Sequence, residues 1–580
     1  MITKPKVTIN KLNYGALNTC AYLSSESQTF SNLSRLKNYE ETNQEFETLS
    51  LNDFELDGEY SDNFNKVAFM SKNLSNVNGV FENTFVEIIF SKKETMSNIT
   101  LDFGKEYPKK ISIDAYKNDT VVVTEIVDYI SSKILYSTIS FTEVDKIRVT
   151  YLESHTPYRY AYLQNFLPGS LFEVSGDRIS NLSINETTDL ISSKLEIDTA
   201  HLEVFKRANE FNILDLNNMV KTFKKWDSAE IEVEIEDNGI KRQVYLGKYY
   251  IDKIEVTQDE CLSLDFVSLL GMLDNVEYIY SGIALDATEP LENINAKRII
   301  DSIFECFADS VGISRSEITE YYEIEEGIDQ IRTYGYLPKM SCREALQNVC
   351  FVNLLKGLDN RSKKIRIEKS GQYENLKEIK DDQIIKVEKV LTNASTKLNE
   401  QIKNVTGEYN NIELSEEEEI ILEIESDGTY IFDNPYKITS VTGGTGASYS
   451  YNINFIRVKY DEGVTPFKLT VRGNKYNVES QKLLIESKYI EGKAINISNS
   501  KLLTYYNAEE FYSDILDYYN TLTLELNYEY INTTQETGYL SLANFYGKQF
   551  VGYIIHQSID VSGGMVASCQ MLGVDWTSYI

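Results

Sequence analysis

Gly247-Lys-Tyr-Tyr-Ile-Asp-Lys-Ile254-Glu255-Val256-Thr257 and Gly552-Tyr-Ile-Ile-His-Gln-Ser-Ile559-Asp560-Val561-Ser562 follow one pattern. Counted from the glycine, Ile254 falls on Ile559, Glu255 on Asp560, Val256 on Val561 and Thr257 on Ser562 without a gap. Each copy has a turn glycine upstream (Gly239, Gly547). Each runs on into a polar turn, Gln258-Asp259-Glu260 in one and Ser562-Gly563-Gly564 in the other. Two unrelated hairpins can share so short a match by chance, but self-similarity within a chain is the mark of repeated architecture. The match therefore predicts two similar β-barrels in one polypeptide.

Composition bounds the rest. At 580 residues the chain exceeds one core and divides into roughly three to five domains. A formal net charge of −32 argues against wrapping nucleic acid, which needs clustered Lys and Arg to displace counterions. No apolar run approaches the roughly 20 residues that span a bilayer, so no membrane span is expected. The start, Met1-Ile-Thr-Lys-Pro-Lys-Val-Thr-Ile9, reads as an opening strand rather than a signal peptide. Six scattered cysteines with apolar neighbours and no CxxC pair read as buried free thiols in a reducing compartment. Forty-one tyrosines and 25 phenylalanines, with frequent Thr, Ile and Val, point to a mainly β protein with a small α+β part.

In chain order, residues 1–60 form an N-terminal arm, with Thr48–Tyr60 leading into the next domain. Residues 61–168 alternate as strands: Val86–Phe90, Ile99–Phe103, Ile111–Tyr116, Val121–Thr124 and Ile147–Tyr151, at the spacing of a jelly roll. The first barrel covers 170–285. Ser180–Asn185, Lys194–Asp198 and Leu202–Phe205 are its early strands. Glu230-Ile-Glu-Val-Glu-Ile-Glu236 then meets an Asn238-Gly239 hairpin turn, which needs positive φ. Glu230, Glu232, Glu234 and Glu236 share one face of that strand, either a solvated outer surface or an acidic channel wall that DNA slides past. Residues 286–375 are α-rich. Asn295 caps one helix, Gly312 stops it, and Ser341-Cys-Arg-Glu344 is a capping box for a second. Ile365–Glu368 and Ile384–Val390 return to strand. Residues 405–500 form an inserted β domain, Asn507 caps a further helix, and 376–404 with 501–580 make the second barrel.

Asn78-Gly-Val-Phe81, Ile99-Thr-Leu-Asp-Phe-Gly104 and Pro157-Tyr-Arg-Tyr160 before Leu163-Gln-Asn165 resemble the discoidin-type jelly roll in tail proteins of phages from Gram-positive hosts. Such modules often bind glycans through loops at one end. That resemblance would make Tyr158, Arg159 and Tyr160 a stacking face and a hydrogen-bonding fork for a host cell-wall glycan. On the residues alone, Tyr158 and Tyr160 instead close the core and Arg159 pairs with a surface acid.

Chemistry-bearing constellations are missing. No HExxH, GxSxG, EF-hand loop or CxxC is present, and Val441-Thr-Gly-Gly-Thr-Gly446 is a hairpin loop with no Gly-Lys-Ser/Thr after it. Asp381-Asp382 is one of many acidic pairs expected at this composition. With only His155, His201 and His556, a histidine metal site or triad has few places to be built. His556, in the repeat, reads as packing or interface, and His155 as a surface loop residue. No catalytic residue, cofactor or metal is expected, and the protein is read as a non-enzyme.

The order barrel, α-rich domain, inserted β segment, helix, barrel resembles the baseplate hub of contractile phage tails and R-type bacteriocins (tailocins). The matching stretches are Gly247–Thr257, Ser341–Cys350, Asn507–Tyr519 and Gly547–Cys569. Hubs of that family carry two tail-tube-like barrels per subunit, so that a homotrimer presents six barrels to a six-fold tube and three-fold symmetry to the spike. The resemblance implies a structural role and a central channel. Implied partners are the tail tube or tube initiator, the spike and other baseplate subunits. It implies a place in a virion tail or tailocin particle assembled in the bacterial cytoplasm. The jelly roll leaves open a peripheral, glycan-binding baseplate subunit. Abundant Asn, Lys, Ile and Tyr fit an AT-rich, Gram-positive host.

Overall fold

The computed structural model describes residues 2–29, 31–37, 68–104, 106–205, 219–237, 239–256, 261–279, 294–370, 384–386, 389–391, 394–444, 446–461, 468–545 and 548–573. The Thr48–Tyr60 lead-in, the Gln258–Glu260 turn, Asn238, Gly547 and the Asp381-Asp382 pair lie outside the described residues. The fold is mainly β with a small helical part.

Thirteen strands form one central sheet. They are β1 (Ile2–Asn10), β2 (Leu171–Ser175), β3 (Ile179–Thr187), β4 (Thr199–Val204), β5 (Ser228–Asp237), β6 (Ile240–Val256) and β7 (Leu262–Val267), followed by β8 (Ile384–Ile385), β9 (Ser395–Leu398), β10 (Leu524–Ile531), β11 (Leu540–Phe545), β12 (Lys548–Asp560) and β13 (Val566–Gly573). Neighbouring strands run β3-β4-β7-β6-β5-β1 in the first half and β9-β10-β13-β12-β11-β8 in the second. Strand for strand the two series agree, so the sheet contains one six-strand unit twice. They part at the last member: β1 runs antiparallel to β5, whereas β8 runs parallel to β11. Both units feed one apolar core, with Val7, Ile184, Leu202, Ile231 and Ile251 from the first and Ile385, Leu526, Ala543, Ile554 and Met571 from the second.

The repeat is displaced from its sequence match. Strand β6 bulges against β7 between Ile251 and Lys253, and β12 bulges against β13 between Ile554 and His556. Aligned on the bulge, Ile251 falls on Ile554 and Ile254 on Gln557. That is two residues from the alignment on the glycines. A slip of two preserves the faces on either side of the bulges, where the alternation is regular, but across them the glycine alignment sets buried Ile251 on half-buried His556 and exposed Asp252 on buried Gln557.

Around the sheet, Phe85–Met96, Phe141–Ser154, Pro108–Lys117 and Thr120–Val127 form a five-stranded layer with Ala21–Ser24. It faces a three-stranded layer of Asn165–Leu167, Ile99–Asp102 and Ile134–Ser137 across a core of Val86, Ile88, Leu101, Ile113, Leu135 and Val149. Helix α1 (Ala296–Val311) begins where Asn295 accepts from the Arg298 N–H and ends at Gly312 with φ 76°. Helix α2 (Cys342–Val352) carries the complete Ser341/Glu344 capping box. Helix α3 (Ala508–Thr521) starts after Asn507, but the Asn507 side chain turns back to accept from the Thr504 N–H at 2.8 Å instead of capping. The long hairpin Ile402–Ile424 with Leu469–Glu486 carries the segment between. Two expected strands are shorter or missing. Lys194–Asp198 is loop, and among the described residues of Ile384–Val390 the first two pair as a strand and Val390 makes an isolated bridge to Tyr530.

Candidate functional site: the seam between the two units

The two units meet where β3 pairs antiparallel with the C-terminal half of β12, in the register Ser183–Asp560, Ile184–Ile559, Asn185–Ser558, Glu186–Gln557 and Thr187–His556. Strand β12 therefore uses one edge twice. Its first half pairs with β11 of its own unit and its second half with β3 of the other. Side chains reinforce the seam. His556 Nδ1 lies 2.9 Å from the Thr187 hydroxyl, within the chain. The Val561 N–H donates to the Leu182 carbonyl at 2.9 Å.

Behind this ladder lies a buried polar cluster. Glu186 follows Leu182 and Ile184 on the inward face of β3 and is 0% exposed. Its carboxylate accepts from Arg361 Nε at 3.0 Å and from the Gln557 amide. The Gln557 carbonyl accepts in turn from the Tyr530 hydroxyl at 2.9 Å and the Asn532 amide at 2.7 Å. Arg361 is presented by the turn after Leu355–Leu358, a segment chained to the helical region, so three parts of the chain converge here. Next to Arg361, the Asn360 amide donates to the Thr537 carbonyl at 3.0 Å, and Arg366 pairs with Glu536 at 3.1 Å. Lys356, buried, pairs with Glu368 at 3.0 Å.

Burial sets the electrostatics. It pushes the Asp198 carboxyl well up, with Asp359 and Glu186 adding repulsion. It also pushes Asp359 up to about 6 and raises Glu536. For Arg361, burial pulls the guanidinium down, but Glu186 and Glu536 more than restore it, so it stays charged. Among the described residues neither terminal nitrogen of Arg361 has an acceptor, although both are buried, and Nε makes its hydrogen bond to Glu186. Paired and hydrogen-bonded in this way, the cluster is costly to disrupt by removing one member.

The residues singled out from sequence lie elsewhere. Tyr158 is 56% exposed at φ 59° instead of closing the core. Arg159 Nη1 reaches Glu106 at 3.2 Å and its Nε donates to the Thr156 hydroxyl, while Tyr160 is half-buried. Nearby, His155 sits edge-on to the Tyr107 and Tyr129 rings. Glu230, Glu232, Glu234 and Glu236 do share one face of β5. Opposite them stand Lys6 and Lys4 of β1 (across from Glu232 and Glu234) and Lys248 and Lys241 of β6 (across from Glu230 and Glu236). Lys363 reaches Glu230 at 2.6 Å and Lys241 reaches Glu234 at 3.2 Å. The acidic row is thus interleaved with cations. Among the described residues no group of His, Cys, Asp and Glu is placed to hold a metal ion. The seam itself was not singled out from sequence. The available signal was a charged or amide residue, Glu186 or Gln557, standing where the alternation places an apolar one.

No family model and no curated protein matches the chain. Among solved structures it is similar to a prophage MuSo2 43 kDa tail protein from Shewanella oneidensis, at 8% identity and TM-score 0.36, covering 70% of this chain and 96% of that one. It is also similar to a tail protein from Neisseria meningitidis MC58, at 7% identity and TM-score 0.37, covering 69% and 93%. Prophage tail protein gp18 from Listeria monocytogenes EGD-e gives 9% identity and TM-score 0.36, covering 70% and 93%. Likenesses this distant carry no functional argument by themselves.

Proposed function

We propose that the chain is a structural component of a phage-tail or tailocin baseplate, the trimeric hub that adapts a six-fold tube to a three-fold spike. The observation that carries this reading is the doubled six-strand unit within one sheet. A subunit holding the same unit twice turns three copies into six equivalent positions, which a symmetry adaptor needs and a single-unit subunit lacks. A seam with buried, mutually paired charges suits a part that must keep its two units in fixed relation under load.

In this reading the partners are the tube or its initiator, the spike and neighbouring baseplate subunits, and no catalytic step is assigned. The Glu230–Glu236 row is the candidate channel wall, its charge moderated by Lys4 and Lys6. Subunit interfaces are then large and permanent, of the order of 2,000 Å² or more. Imaging of intact particles with this subunit labelled tests the position. Density on the tail axis at the tube's lower end supports the hub, and density at the baseplate edge overturns it. The peripheral glycan-binding alternative gains little, because Arg159 is already engaged by Glu106 and Thr156.

A further inference from the structure

The internal seam has a counterpart that stands open. Matching the units through their ladders makes β9 the equivalent of β3: Ile184 faces Ala200 of β4, and Thr396 faces Leu526 of β10. Lys397 then corresponds to Asn185 and Leu398 to Glu186. Strand β3 is paired on both edges, by β4 and β12. Strand β9 ends the sheet and, among the described residues, pairs only with β10. The consequence shows in burial. Glu186 is 0% exposed, and Leu398 at the matching place is 71% exposed.

The other half of the seam is open too. Strand β6 is the equivalent of β12, and beyond its bulge Lys253–Val256 corresponds to His556–Ile559. In β12 that stretch is paired on one edge by β13 and on the other by β3. In β6 it is paired by β7, and among the described residues no strand takes the second edge. Ile254 and Val256 are correspondingly only half-buried, whereas Gln557 and Ile559 are 0% exposed. Among the described residues one chain thus offers a strand with one open edge at one end and, on its other unit, the kind of edge that strand's twin already occupies. An unpaired edge is a template for another chain.

We infer that β9 of one copy adds to the free edge of β6 in a second copy, repeating between chains the seam that β3 and β12 make within one. This rests on the hub reading for its closure at three, and on the two open edges for the pairing itself. Carried over from the internal register, Thr396 faces Val256 of the second copy, Lys397 faces Glu255 and Leu398 faces Ile254. On the inward face apolar Leu398 meets Ile254 and β-branched Thr396 turns its methyl to Val256, and on the outer face a cation meets an anion. Lys397 makes a long ion pair with Glu525, at 3.8 Å, and is itself largely exposed. Among the described residues Glu255 pairs with Lys253, itself exposed. The contact is head-to-tail, since the donor strand and the receiving edge differ. It therefore closes into a ring or runs on as a filament.

Cysteine cross-linking in the full chain tests this. Facing Cα atoms in an antiparallel pair lie about 4.5–5.5 Å apart, within disulfide reach. Asn185→Cys with Ser558→Cys is the positive control, giving an intramolecular bond at the equivalent pair. Lys397→Cys with Glu255→Cys, oxidised and run without reductant, is expected to give covalent oligomers ending at a closed trimer, with neither single variant doing so. Cross-linking that runs past three or closes at another number leaves the strand pairing standing and overturns the hub. A wild-type chain that sediments as a trimer, with no cross-link in the double-cysteine variant, overturns the pairing and leaves the hub. A monomer without cross-links overturns both. Leu398→Lys, at a site already exposed in the single chain, is expected to keep the fold and the circular dichroism spectrum while lowering the assembled fraction at least tenfold. An unchanged assembled fraction overturns the pairing.

Discussion

Glu186 and Glu234 belong to the same six-strand unit, and each has a cation in contact, yet they do opposite things for the protein. Glu186 is sealed against Arg361, Gln557 and two hydroxyl- and amide-bearing neighbours behind the seam. Glu234 stands on the outer face of β5 with Lys241 and opposite Lys4, in reach of water. Burial, rather than the number of charges, decides what an ion pair is worth. Removing one partner of a sealed pair strands the other in a medium that cannot solvate it. Arg361→Ala is accordingly expected to lower the unfolding free energy by about 3–5 kcal/mol. Denaturant unfolding measures it, and a loss below about 1 kcal/mol would mean that the seam's charges are solvated after all.

The same burial predicts a pH dependence. Asp359 is pushed up to about 6 by burial, and Asp198 is raised for the same reason. A carboxyl whose folded value lies above its unfolded value binds protons more tightly when folded. The contribution of Asp359 is then greatest below its unfolded value near 4 and falls as pH rises toward about 6, at up to roughly 1.4 kcal/mol per unit. Urea midpoints for Asp359→Asn against the parent across that window isolate the contribution. The variant curve should be shallower, and an identical slope would show that the site relaxes on ionisation. Gln557→Leu is milder. It removes the amide donor to Glu186 and the acceptor for Tyr530 and Asn532 but leaves Arg361 in place, so about 1–3 kcal/mol is expected, read from the same curves.

The elements that sequence revealed are those whose determinants are local. Asn295, Gly312, Ser341 and Glu344 lie within a turn of the helix ends they define, and each does what its position implies. Asn507 has the same residue type at the same kind of position, but Thr504 competes for its side chain, and nothing in the spacing announces that. The repeat was legible because duplicated strands keep their alternation. Its register was not, because the bulges at Asp252 and Ile555 each insert one residue into the alternation, and nothing local in the sequence marks where. The seam cluster was least visible. Glu186 and Arg361 are 175 residues apart, and in a chain with 89 acidic residues no carboxylate stands out until the fold excludes water from it. Strand β1 gives the same lesson, since its partner β5 begins more than 200 residues later.

The outer face supplies the smallest effect and the sharpest contrast. Glu234 loses one exposed ion pair when changed to Gln, while Lys241 remains within 3.9 Å of Glu236. Exposed pairs are screened by salt and lose in side-chain entropy much of what they gain in attraction. Glu234→Gln should therefore leave the unfolding midpoint unchanged within error, in low salt and in 1 M salt alike. If it cost as much as Arg361→Ala, the row on β5 would have to be sealed by something in solution. The position of that seal, found by repeating the substitution at Glu230, Glu232 and Glu236, would mark which stretch of the face a neighbouring chain covers.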